Sequence, residues 1–194
     1  PRVAIESLVN QYEDIKLSQV DDIMFFRPTC QSVFISKTDS EPCSMQAPPL
    51  GAEGVDPVVA VFDGMPIQNH PLLRDRIIVD DPDDYASNYE SKYRIHGTSM
   101  TSLAIYGDLN RNDLPITSPV YVRPILRPKQ VGLDSIQECV PDDKLFVDTL
   151  HRAVKRMMEG ENGEDATAPN TKVINLSVGD PVRQLSTIMS PIAR

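Results

Sequence analysis

The sequence of 194 residues has no tryptophan, only three cysteines and no long apolar run. A helix that spans a bilayer needs about 18 to 20 consecutive apolar residues, and the first residues also lack the apolar stretch of a signal peptide. Cys30, Cys43 and Cys139 fit neither a metal-ligand spacing nor a framework of paired disulfides. We therefore expect no membrane association, three unpaired thiols and a cytoplasmic protein, while a chain that begins at Pro1 leaves open a signal further upstream.

Basic residues are also scarce, since 19 Lys and Arg face 28 Asp and Glu and give a formal net charge of −9. A protein that neutralises nucleic-acid phosphates needs clustered Lys and Arg. The most basic segment contains only Arg123, Arg127 and Lys129, spaced among prolines. The sequence therefore predicts no nucleic-acid partner. Its hydrophobic fraction of 40% is enough to fill the core of a globular protein.

The beginning of the chain differs from the rest. Apolar residues over 4–24 recur at three- and four-residue spacings, typical of an amphipathic helix, and the β-branched run 31–36 predicts a strand. Prolines and glycines then crowd residues 40–56. We predict a boundary near residue 50, between a small α+β segment (1–50) and a larger domain (51–194). The segment is interpreted either as the end of an inhibitory propeptide or as part of an unrelated upstream domain.

The larger domain alternates predicted strands and helices. Residues 57–62 form a continuous apolar run that is too short for a helix, which predicts a strand buried on both faces. Further strands are predicted over 120–126 and 172–177, and an amphipathic helix over 142–159. This order predicts an α/β fold with a parallel sheet flanked by helices. In such sheets the reactive groups collect at the carboxyl ends of the strands.

Three short motifs fall where that edge of the sheet is expected. One follows the first strand, one opens a helix and one closes the last strand. They are Asp63, His96-Gly97-Thr98 and Ser177-Val178-Gly179.

Together these motifs resemble the subtilisin-like serine protease family. The aspartate of that family follows an apolar strand and precedes a His-Pro pair, as Asp63 does ahead of His70-Pro71. Its histidine stands in a His-Gly-Thr motif, and its substrate-binding strand is similar to residues 173–179, which read Val-Ile-Asn-Leu-Ser-Val-Gly. The resemblance covers residues 57–180, and strings such as Tyr106-Gly107-Asp108-Leu109 look like a bacterial branch.

The resemblance implies an incomplete subtilisin-like catalytic domain of a serine endopeptidase. His96 would act as general base and acid, and Asp63 would orient its ring. Ser177, Val178 and Gly179 would bind an extended polypeptide substrate, which adds as a strand. No cofactor is implied.

Two departures from the family pattern bear on activity. The usual Asp-Ser/Thr-Gly is here Asp63-Gly64-Met65, and nothing after Gly179 supplies the nucleophile motif Gly-Thr-Ser-Met-Ala or the oxyanion-hole asparagine. The residues given are therefore expected to be inactive alone. The alternative is a pseudoprotease that binds peptides or proteins. Ser99, in Gly97-Thr98-Ser99-Met100, spells part of the nucleophile motif, but it lacks the following proline and the His-Gly-Thr reading of these letters is preferred.

Other polar residues receive structural interpretations. Asp80, Asp81, Asp83 and Asp84 group in one predicted loop, where oxygen ligands would suit calcium, but a solvated loop is the favoured interpretation and no metal site is predicted. His70 and His151 are interpreted as structural or solvated. The sequence does not determine the oligomeric state.

Overall fold

A four-stranded parallel sheet lies at the centre of the computed structural model, which describes residues 54–109, 114–130 and 136–178. In chain order its strands are β1 (Val59–Asp63), β2 (Ile77–Val79), β3 (Val120–Pro124) and β6 (Val173–Leu176), and in space they run β2-β3-β1-β6. Two further strands, β4 (Arg127–Gln130) and β5 (Ile136–Cys139), form a separate antiparallel pair. The described residues all belong to one structural unit, Thr29–Val182. The helix predicted over 4–24, the strand over 31–36 and the boundary near residue 50 lie outside the described residues.

The register of the sheet aligns the ends of its central strands. Val59 of β1 lies opposite Val120 of β3 on one side and opposite Val173 of β6 on the other. Because all three strands run in the same direction, their carboxyl ends meet at one edge. Asp63 ends β1 at that edge, and Ser177 follows β6 there.

One helix packs on each face of the sheet. Helix α1 (Ile95–Tyr106) packs through Ile105 against the face formed by Val61, Val120 and Val122. Helix α2 (Phe146–Glu159) packs through Ala153 and Met157 against the opposite face, which is formed by Ala60, Phe62 and Tyr121. Both faces of β1 are therefore covered, which is why the strand is apolar up to Phe62. The predicted α/β fold, with a parallel sheet flanked by helices, is confirmed.

The bounds of two predicted elements differ from the structure, because a turn or a proline interrupts the predicted pattern. Helix α2 begins at Phe146 rather than at residue 142, because the N–H of Lys144 donates to the carbonyl of Pro141 at 3.2 Å and closes a turn first. Pro124 ends β3, as expected of a residue that cannot donate to the ladder. The short strands β2, β4 and β5 were not predicted.

The cysteine expectation is corrected by the structure. Cys139, the last residue of β5, is disulfide-bonded. The expectation of three unpaired thiols is therefore wrong, because pairing depends on which cysteines the fold brings together and spacing along the chain does not reveal it. The cytoplasmic assignment loses that support. None of the helices in the described ranges is long and apolar enough to cross a membrane.

Candidate active site

Asp63 is held rigidly at the carboxyl end of β1. Its side chain is fully buried, and its backbone carbonyl accepts the N–H of Ile125 at 2.7 Å. The N–H of Gly64 donates to Asp63 Oδ1 at 2.5 Å. A buried carboxylate needs such donors, because an unsatisfied charge is costly away from water. Asp63 is thus a fixed, buried acceptor at the edge where the central strands end.

His96 contacts Asp63 directly. It is the second residue of α1 and is buried, and its Nδ1 lies 2.9 Å from Oδ1 and 3.1 Å from Oδ2 of Asp63. With the proton on Nδ1, that nitrogen donates to the carboxylate and leaves Nε2 as the basic nitrogen. This pair can therefore accept a proton at Nε2 and stabilise the resulting imidazolium.

Gly97 and Thr98 fix the approach of α1 to the loop that follows Asp63. A Cβ atom on Gly97 would lie 2.3 Å from the carbonyl oxygen of Gly64, so only glycine permits this approach. Thr98 Oγ1 accepts the N–H of Ile67 at 2.9 Å. The His-Gly-Thr motif therefore has a local structural reason, because each of its last two residues keeps His96 close to Asp63.

A second carboxyl group, on Glu138 of β5, lies beside the pair. Glu138 is 8% exposed, and its Oε1 accepts a hydrogen bond from the hydroxyl of the buried Tyr89. A Cβ atom on Gly64 would lie 1.9 Å from that same Oε1 and 2.5 Å from the Tyr89 hydroxyl. The space that a serine or threonine side chain would fill after the aspartate is therefore occupied by Glu138, which explains the departure at Gly64.

The surroundings of Glu138 favour its protonated form. Burial, and to a lesser degree the charge of Asp63, raise the pKa of Glu138 to about 8, although a hydrogen bond from the backbone of His96 acts in the opposite direction. The sequence around Glu138 carries no motif, so it was missed. The one signal was Gly64 itself, since a missing side chain beside the buried Asp63 implies that another group fills the space.

The predicted substrate strand lies beside the Asp63–His96 pair. Ser177 directly follows β6, and its Oγ donates to Oδ1 of Asn175 at 2.7 Å. Val178 packs against the hydrophobic cluster that contains Phe62. Gly179 lies outside the described residues. The structure thus brings Asp63 and His96 into contact and places Ser177 at the same edge of the sheet.

The remaining histidines and Ser99 have other environments. His70 Nδ1 accepts the N–H of Leu72 at 3.3 Å within a turn, and His151 is exposed on α2. Ser99 is exposed, and its Oγ donates to the carbonyl of Ile95 at 2.9 Å within α1. His70 thus takes part in a local turn, and the Ser99 hydroxyl bonds the carbonyl four residues earlier in the same helix.

The acidic loop after β2 is bound by cations of the protein. Asp83 accepts hydrogen bonds from Arg123 at 2.9 Å and from Arg152 at 2.7 Å, and Lys144 Nζ lies 3.2 Å away. Burial acts to raise the pKa of Asp83, but the hydrogen bonds from Arg152 and Lys144 and the nearby positive charges outweigh it and lower the pKa below its ordinary value. Asp83 is therefore a charged anchor between the loop and α2.

The other three carboxylates of this loop also have partners. Asp80 accepts from Arg156 at 2.9 Å, Asp81 accepts two backbone N–H groups at 2.9 and 2.8 Å, and Asp84 accepts from Ser87 at 2.7 Å. Across residues 54–109, 114–130 and 136–178, no group of three or more His, Cys, Asp or Glu side chains is arranged to hold a metal ion.

Comparison with known proteins does not identify a family. No protein-family model, curated protein or solved structure matches the chain. The functional assignment rests on the motifs and on the geometry described above.

Proposed function

We propose that this chain supplies the aspartate and the histidine of a subtilisin-type serine endopeptidase. The observation that carries the proposal is the buried hydrogen bond between His96 Nδ1 and Asp63, at the edge where β1 and β6 end. The α/β sheet would then be the first part of a subtilisin-like catalytic domain. The nucleophilic serine would come from a segment outside the described residues.

The proposed chemistry follows from this arrangement. Nε2 of His96 takes the proton of the serine hydroxyl as its oxygen attacks the carbonyl carbon of a peptide bond. The carboxylate of Asp63 stabilises the imidazolium, which then gives the proton to the leaving amine. Water hydrolyses the acyl-enzyme by the same exchange of protons and restores the serine. Both residues stand on ends of regular elements, which suits a site that must keep its geometry.

The substrate would be a polypeptide in extended form. Among the described strands, β6 pairs only with β1, and its residues Val173 and Ile174 are exposed. A peptide that adds beside Ser177 and Val178 would gain main-chain hydrogen bonds, while its side chains would provide specificity. The same strand end supports the second candidate, a pseudoprotease that binds extended peptides without cleaving them.

A fluorophosphonate probe tests the proposal on the complete product of the gene. We expect the probe to label one serine of the wild-type protein. His96→Ala removes the general base, so labelling should slow by about 10³-fold or more. Asp63→Asn should have a similar effect, because it favours the wrong tautomer of His96. The readout is the rate of labelling, followed by mass spectrometry of the modified peptide.

His151→Ala is the matched control, since His151 is exposed on α2 and should leave the labelling rate unchanged. Circular dichroism establishes that each variant is folded. A folded wild-type protein that is not labelled would overturn the protease proposal and favour the peptide-binding alternative. Equal labelling of wild type and His96→Ala would also overturn it.

A further inference from the structure

Gly64, which directly follows Asp63, has no side chain, and polar groups of other residues fill the space beside it. Glu138 Oε1 and the Tyr89 hydroxyl occupy the volume next to Gly64, and both residues are buried. Glu138 also accepts a hydrogen bond from the backbone of His96. The carboxyl group of Glu138, which belongs to the antiparallel pair β4–β5, thus contacts the main chain of His96.

We propose that Glu138 is a positioning residue for His96, and that its carboxyl group, oriented by Tyr89, holds the first turn of α1 so that the imidazole stays against Asp63. This inference rests on the proposed function of the Asp63–His96 pair. Asp63 fixes the ring of His96, and Glu138 fixes its main chain. Gly64 is the residue that leaves room for this second contact.

The start of α1 needs such an acceptor. The first N–H groups of a helix have no partner within the helix, and Arg94, the N-cap residue of α1, makes no side-chain capping hydrogen bond. An oxygen acceptor at this position stabilises a helix start. Glu138 provides one for His96, although it is 42 positions further along the chain.

Tyr89 is itself fixed, so it can hold Glu138 in one orientation. Arg94 Nε donates to the carbonyl of Tyr89 at 2.7 Å, and its Nη2 donates to the carbonyl of Ala86 at 3.0 Å. Asp81 holds the preceding residues through the N–H groups of Tyr85 and Ala86. The phenol therefore comes from a segment with several internal anchors rather than from a free loop.

The ionisation of Glu138 is set by the groups that face it. These are Asp63 at the end of β1, His96 of α1 and Tyr89, and the Arg94 guanidinium lies over the Tyr89 ring. Burial and Asp63 keep the pKa of Glu138 near 8, so the group is largely neutral at pH 7. A neutral carboxyl group can accept the His96 N–H without placing a second negative charge beside Asp63.

Nuclear magnetic resonance of His96 in this chain provides the test, since it requires no nucleophile. Glu138→Ala removes the acceptor, and we expect the exchange of the His96 Nδ1 proton with solvent to become about tenfold faster, the factor that corresponds to one ordinary hydrogen bond. Glu138→Gln retains an acceptor of the same size and should keep exchange within about twofold of wild type. Glu159→Gln, an exposed substitution on α2, is the matched control.

A pH series covers the case in which Glu138→Ala does not fold. The backbone amide resonance of His96 should shift with a midpoint near pH 8 in the wild type, and this transition should vanish in Glu138→Gln. Retention of the transition in Glu138→Gln would overturn the proposal. A folded Glu138→Ala variant with unchanged Nδ1 exchange would overturn it as well.

The double variant Gly64→Ser/Glu138→Ala separates positioning from simple volume filling. Gly64→Ser alone would place its Cβ against Glu138 and should destabilise the fold, whereas the double variant removes that clash. If Glu138 only fills space, the double variant should restore slow Nδ1 exchange fully, which would overturn the proposal. Continued fast exchange in a stable double variant supports it. Failure of the probe labelling alone would leave these resonance results intact, so the two proposals fail separately.

Discussion

Two groups of carboxylates in this chain have different electrostatic surroundings. Asp80 and Asp83 face guanidinium and ammonium groups of β3, α2 and the turn before α2, which come from Arg123, Lys144, Arg152 and Arg156. Asp63 and Glu138 face an imidazole, a phenol hydroxyl and backbone N–H groups. The first group balances charge with charge, whereas the second satisfies buried oxygens mainly through hydrogen bonds.

The pKa shifts follow this difference in direction. The pKa of Asp83 is lowered because its cations outweigh burial, and the pKa of Glu138 is raised to about 8 because burial and Asp63 act together. Groups with strongly perturbed pKa values collect at functional sites, where charge is left incompletely compensated. The comparison therefore supports a structural role for the acidic loop, where cations neutralise the carboxylates, and it supports the function proposed for the site around Asp63.

The largest loss of stability is expected from Asp83→Ala, which removes one carboxylate from the group that is paired with Arg and Lys side chains. Arg123 has a side chain that is 3% exposed and would lose its closest carboxylate. Removal of one partner of a buried pair costs about 3 to 5 kcal/mol of unfolding free energy, because the other charge is left uncompensated. Urea denaturation measures the loss, and the His96 Nδ1 resonance should not move. A loss below about 1 kcal/mol would contradict the role given to this group.

The pH dependence of stability should distinguish the two groups by sign. Glu138 has a folded-state pKa above its unfolded value, so the folded state binds more protons between pH 4.5 and about 8, and stability falls as pH rises through this window. The expected slope approaches about 1.4 kcal/mol per pH unit, or about 5 kcal/mol over the window. Asp83 has a lowered pKa, so its contribution is lost only as pH falls below about 3.8.

Glu138→Gln provides the control for that titration, because glutamine does not ionise. The variant should show a flat unfolding free energy between pH 5 and about 8, while the loss of stability in acid should persist. Denaturation at closely spaced pH values measures both limbs. An unchanged slope in the glutamine variant would show that another group carries the titration.

Gly97→Ala tests how closely α1 approaches Asp63. The new Cβ would lie 2.3 Å from the carbonyl oxygen of Gly64, which is backbone and cannot swing away. Overpacking of this kind costs about 2 kcal/mol. Gly163→Ala is the control, since its Cβ meets nothing within 4 Å and only its positive φ of 86° opposes alanine, at about 1 kcal/mol. Equal losses in the two variants would contradict the close approach.

The sequence was sufficient for features that depend on local pattern. The apolar run that became β1 ends at Asp63, and the periodicity of 146–159 marks α2. It was insufficient for contacts set by the fold. Glu138 lies 75 positions after Asp63, on a strand of four residues with no alternating pattern, so only the shape of the folded chain brings it to Gly64. The disulfide of Cys139 is hidden for the same reason.

The smallest effect is expected where an ion pair lies at the surface. Lys129 Nζ lies 2.5 Å from Asp142 Oδ1, but the two side chains are 44% and 75% exposed. Lys129→Gln should therefore change the unfolding free energy by less than about 0.5 kcal/mol, since water and salt screen such pairs. The unfolding free energies of Lys129→Gln and Asp83→Ala should be measured together at low and high salt. Their comparison tests whether the burial of an ion pair, rather than pairing itself, is the source of its stabilising effect. A loss as large as that of Asp83→Ala would mean that ion pairing alone stabilises the fold, and the contrast between the two groups of carboxylates would then need another cause.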